Sequence, residues 1–121
     1  VAIALVPGTL LSDISAYTPN GLVVGLFEFR GRRNIVLLFP GPGAEVLRLG
    51  LTLRSDELGF EEAVVLFASE GARDVYGAPS SALFIADRYG EIFFSARHPE
   101  PLLDATEVLG WLEFINAQCP E

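Results

Sequence analysis

A chain of 121 residues has room for one domain, so residues 1–121 are expected to fold as a single unit. Half of the residues are hydrophobic and 20% are charged, which excludes a disordered chain, and a single cysteine excludes an internal disulfide. Sixteen acidic against eight basic residues leave a net charge of −8, which argues against nucleic acid and anionic lipid as partners.

All eight basic residues are arginine, a bias more simply due to coding than to a need for guanidinium groups. The opening run Val1-Ala2-Ile3-Ala4-Leu5-Val6 falls far short of the roughly eighteen apolar residues a membrane span requires. With no methionine present, the sequence is expected to begin after its initiator, and a leader removed ahead of Val1 stays open. One thiol suits a reducing compartment, and the cytoplasm is the expected location.

In chain order, Thr18-Pro19-Asn20-Gly21 marks a turn between the short apolar stretches Ile14 to Tyr17 and Leu22 to Val24. Four stronger apolar runs follow, at Ile35 to Phe39, Ala63 to Ala68, Ala82 to Ala86 and Ile92 to Phe94, and these are the core strands. The first two are apolar without alternation, as strands covered on both faces are, so helices are expected above and below the sheet. Between the last two, Asp87-Arg88-Tyr89-Gly90 leaves room only for a hairpin, which makes the sheet mixed.

From Pro40 to Glu62, leucines at 47, 49, 51 and 53 alternate with other residues in a strand-like period. A link of this length between two doubly covered strands is nevertheless a helical crossover, because parallel neighbours are joined that way. Gly71 to Gly77 holds one short helix, with Ala72, Val75 and Tyr76 at helical spacing before a glycine stop. The last segment is a helix whose buried stripe is Ala105, Val108, Leu109, Leu112 and Ile115, with Asp104, Glu107, Glu113 and Asn116 pointing away from it. Asp104 and Glu107 have capping-box spacing, and Trp111 beside the stripe is a packing residue.

The order of these elements resembles the thioredoxin fold, an α/β three-layer sandwich with a mixed central sheet and helices on both faces. Three local strings resemble its peroxiredoxin and thiol-antioxidant branch: Phe29-Arg30-Gly31-Arg32-Arg33-Asn34 leading into Ile35 to Phe39; Val64 to Ser69; and Leu83-Phe84-Ile85-Ala86-Asp87-Arg88-Tyr89-Gly90-Glu91-Ile92. That resemblance implies a reactive cysteine in the loop or first helical turn after the first core strand, where a helix N-terminus stabilises a thiolate. Phe39-Pro40-Gly41-Pro42-Gly43-Ala44-Glu45-Val46-Leu47 holds neither cysteine nor threonine, and Ala44 and Leu47 stand where a thioredoxin would carry its cysteine pair. The family's arginine or cis-proline before the third core strand falls near Ser81, with Pro79 two positions away. The resemblance therefore implies the scaffold without its thiol chemistry.

The expected function is that of a redox-inactive binding or assembly module, leaning away from an enzyme, with no cofactor and no metal. Its groove is expected where relatives bind substrate, between Pro40, Gly41, Pro42, Gly43 and Ala44 on one side and Pro79, Ser80 and Ser81 on the other, and would take a peptide or small molecule. A positive mean hydropathy makes a homodimer the expected partnership.

Two other functions compete. A divergent thiol oxidoreductase would have to use Cys119, which follows the last helix, where the negative end of the helix disfavours a thiolate. A nucleotide-binding domain would use Gly41-Pro42-Gly43 with Glu70 as the ribose acid, yet Val46 stands where the third glycine belongs. His98, between Arg97 and Pro99, has no second histidine to share a metal, and no glycine-framed serine forms a hydrolase elbow. Arg30, Arg32 and Arg33 are expected to form a solvated turn paired with nearby carboxylates rather than an anion site.

Overall fold

The structure, a computed structural model, describes residues 6–78 and 80–118. Its elements run β1 (Ser15–Tyr17), β2 (Val23–Gly25), β3 (Asn34–Phe39), α1 (Ala44–Leu53), α2 (Ser55–Phe60), β4 (Ala63–Ala68), α3 (Arg73–Tyr76), β5 (Ala82–Ala86), β6 (Ile92–Arg97) and α4 (Ala105–Gln118). The six strands form one sheet in the order β2-β1-β4-β3-β5-β6. Strands β3 and β4 are parallel, with Ile35 opposite Val64, and every other pairing is antiparallel. The mixed α/β sheet expected from the four apolar runs is therefore present, and β6 continues three residues past Phe94.

Each face of the sheet has its own core. On one, Val36, Leu38, Val65, Leu83 and Ile85 pack against Leu47, Leu51 and Leu58 of the crossover and Val108, Leu112 and Ile115 of α4. On the other, Leu37, Phe39, Leu66 and Phe84 meet Leu11, Leu26, Ala72 and Tyr76. This second cover is lighter than expected: it consists of the one-turn helix α3 with the 3-10 turn Glu70–Ala72 ahead of it, a 3-10 turn at Leu26–Phe29, and irregular chain from the first thirty residues. Phe39, Tyr76 and Phe84 fill it as a three-ring cluster with centroids 5.1–6.0 Å apart, in tilted and edge-on arrangements that suit aromatic quadrupoles.

The crossover is helical, as its length requires, but it breaks at Arg54 into two helices. Its alternating leucines divide by helical period, so that Leu47 and Leu51 are buried while Leu49 and Leu53 face outward. At α4 the capping box forms in full: the Glu107 N–H donates to Asp104 Oδ1 at 2.8 Å and the Asp104 N–H donates to Glu107 Oε1 at 3.0 Å.

Asn116 does not point away from the core as expected. It is half-buried and its Nδ2 donates to the Glu61 carbonyl at 2.9 Å, while its Oδ1 accepts from the buried Asn34 Nδ2 at 2.8 Å. The turn at Glu61 and the start of β3 meet the last turn of α4 there, and the Glu61 carbonyl together with the Asn34 amide draws a polar side chain inward.

Candidate functional site

Strand β3 delivers the chain at Pro40 to the N-terminus of α1, and the segment before β5 arrives beside it. Gly41 has a φ of +146°, and a Cβ on it would lie 2.6 Å from the Ser81 nitrogen. Only glycine permits that approach. The buried Ser81 hydroxyl donates to the Pro42 carbonyl at 2.6 Å, and the Ser81 carbonyl accepts from the His98 N–H at 2.9 Å. Gly43, with a φ of +81°, then turns the chain into the first residue of α1.

Arg73 closes the arrangement. Its guanidinium donates to the carbonyls of Ala78 at 3.1 Å, Ser80 at 2.6 Å and Pro40 at 2.9 Å, bridging the loop after β3 and the segment before β5. It lies 5.9 Å from the centre of the Phe39 ring and takes the Glu70 carboxylate through Nε at 2.8 Å. That hydrogen bond, reinforced by the charge, holds the Glu70 carboxyl below its ordinary pKa and the Arg73 guanidinium above its own. On the neighbouring strand, Arg97 donates to the Tyr76 and Gly77 carbonyls at 3.1–3.3 Å and lies over Phe84 at 4.9 Å. Tyr76 is fully buried with its hydroxyl on the Ser12 carbonyl, and burial raises its pKa.

The two segments singled out in the sequence thus stand against each other, with their facing atoms in contact. The open space lies to one side, between α1 and β4, as a cleft of about 270 Å³ lined by Pro40, Gly41, Ala44, Glu45, Arg48 and Phe67 among others. Pro42, Gly43, Ser80 and Ser81 are outside that lining, and Pro79 and Cys119 lie outside the described residues.

A second and larger cleft, about 420 Å³, meets the first at Arg48 and Phe67 and continues along β4 beneath the α1–α2 junction. Arg48 pairs with the Glu45 carboxylate, chiefly through a hydrogen bond, which lowers the pKa of the acid and raises that of the base. Sequence reasoning passed over Arg48 and Arg73. Their carboxylates three residues earlier were visible as helical pairs, whereas the reach of Arg73 to Pro40 spans 33 positions and leaves no local trace.

Other candidates take definite places. Glu70 is engaged by Arg73, and Val46 at the supposed third glycine is exposed. His98 is exposed beside the cis peptide that joins it to Pro99. The arginine turn departs from expectation: among the described residues none of Arg30, Arg32 and Arg33 pairs with a carboxylate, and Arg30 instead lies over the Phe27 ring at 4.9 Å. Phe27 is exposed next to Arg30, and the planar cation covers it. Trp111 packs edge-on against Phe114 and tilted against Phe94. Among the described residues no helix is long and apolar enough to cross a membrane.

No protein-family model matches the chain, and no curated protein matches it in sequence. Solved structures do. AhpC of Mycobacterium tuberculosis superposes with a TM-score of 0.72 at 13% identity, over 96% of each chain. The peroxidoxin BcpB of the same organism gives 0.71 at 14% identity, over 92% of this chain and 98% of its own. The thioredoxin domain of a thiol-disulfide oxidoreductase from Bacteroides vulgatus gives 0.62 at 13% identity, over 93% of this chain and all of its own.

The chain therefore has the thioredoxin fold. Within that class its shape is similar to that of the peroxiredoxins, and its segment from Pro40 to Leu47 carries no cysteine.

Proposed function

We propose that this chain is a redox-inactive, peroxiredoxin-like module of one domain that works by binding or assembly in the cytoplasm. The observation that carries the reading is the loop between β3 and α1. Where the resemblance calls for a thiol, the chain has Pro40-Gly41-Pro42-Gly43-Ala44, tied by Arg73 and Ser81 to the segment before β5. No other side chain replaces a thiolate in reversible oxidation. Peroxide consumption by the native chain and by Cys119→Ser tests this directly. Equal, negligible rates support the module, and turnover abolished by the substitution establishes an oxidoreductase working through Cys119.

The assembly side of the proposal is a homodimer. Its support is the outer face of α1, where Val46, Leu49 and Leu53 are 76%, 52% and 86% exposed at helical spacing. Sedimentation at high micromolar concentration should show a dimer, and a monomer would remove this part of the reading.

A further inference from the structure

We propose that the larger cleft beneath the α1–α2 junction binds an apolar chain ending in a single carboxylate, with Arg48 receiving the head group; this deepens the binding-module reading and rests on it. The cleft has a volume of about 420 Å³, within the range of small-molecule sites. Its walls include the buried side chains of Leu51, Leu58 and Val65, and the half-buried Phe67. Surfaces of this kind select a flexible apolar body.

Charge selects the head. Among the described residues Arg48 is the one charged residue lining this cleft, and it sits where the cleft meets its smaller neighbour, in a molecule whose net charge is −8. An anion is repelled by most of this surface and attracted here. The guanidinium is held in the meantime by Glu45, whose side chain is 66% exposed. A solvent-exposed ion pair on one helix contributes little, so a ligand carboxylate that also buries an apolar tail can displace Glu45 from Arg48. Glu45 is then a competitor for the site, and its removal has a predicted sign.

The test is titration of the isotope-labelled full chain with decanoate and, in parallel, decanol, both below the onset of micelles, followed by amide chemical shifts. Saturable shifts should centre on Arg48, Thr52, Val65 and Phe67, with decanoate binding roughly tenfold more tightly than decanol, as one charge-assisted contact requires. Arg48→Gln should bring the acid down to the alcohol, and Glu45→Gln should tighten the acid alone. Equal affinity for acid and alcohol in the native chain overturns the proposal, as does the absence of saturable shifts. Shifts centred instead on the shallow apolar cleft at Trp111 and Phe114 overturn it too. The peroxide assay reads Cys119 and this titration does not, so the redox-inactive reading and the carboxylate site can each fail alone.

Discussion

The two sides of the loop that leads into α1 are finished in opposite ways. Toward β5, Gly41 lies against the Ser81 backbone, Ser81 takes the Pro42 carbonyl, and Arg73 takes three more carbonyls, so these polar groups are matched across a close backbone approach. Toward β4, apolar side chains line open clefts, and the guanidinium of Arg48 there pairs with Glu45, an exposed neighbour on its own helix. The closed side is held by side chains bonded to backbone carbonyls and by a close backbone approach, whereas the open side is held by the core behind it. In this thioredoxin fold the open space therefore lies off the strand ends, along the face of β4.

The largest break in this contrast is expected from Gly41→Ala. A Cβ there meets backbone at 2.6 Å in a conformation that side chains rarely adopt, and roughly 2–4 kcal/mol of stability should be lost in urea unfolding. Gly43→Ala is the control: nothing lies within 4 Å of its Cβ, so only the cost of a left-handed residue remains, about 1–2 kcal/mol.

Arg73→Gln removes the bridge between the two segments and leaves carbonyls to find other donors. A loss of about 2 kcal/mol is expected, with faster amide exchange at residues 78 and 80–82. No change in exchange there would mean that Gly41 and Ser81 suffice to close the loops.

Tyr76→Phe should cost about 1 kcal/mol at neutral pH through the lost bond to the Ser12 carbonyl. It also has a signature in alkali. Burial raises the pKa of the folded tyrosine, so its contribution is complete below the unfolded value of about 10 and declines above it as the unfolded chain ionises first. Thermal melts of the native chain should show this decline, and those of Tyr76→Phe should lack it.

The smallest effect concerns the helical ion pairs. Glu45, Glu57 and Glu70 all have lowered pKa values through hydrogen bonds from Arg48, Arg54 and Arg73. Their contribution is present above the ordinary carboxylate value and lost as pH falls through the lowered ones. Because the acids are exposed, the triple glutamine variant should flatten the acid side of the melting curve only slightly.

The sequence by itself determined the sheet and its polarity. Uninterrupted apolar runs demanded cover on both faces, the length from Pro40 to Glu62 demanded a crossover, and Asp87 to Gly90 admitted only a hairpin, all of which rest on spacing along the chain. It also showed that no cysteine lies between Pro40 and Leu47, since a missing residue type is visible without coordinates.

Tertiary structure decided the rest. Whether Pro40 to Gly43 and Ser81 enclose a groove or press together depends on an approach between positions 40 apart, and whether Asn116 faces water depends on the Glu61 carbonyl and the Asn34 amide brought to it from elsewhere in the chain. Arg48 changed from one helical charge to a wall of an apolar cleft only when β4 was laid beside α1. A close backbone approach or an enclosed space is a property of distances in three dimensions, which local patterning constrains but does not specify.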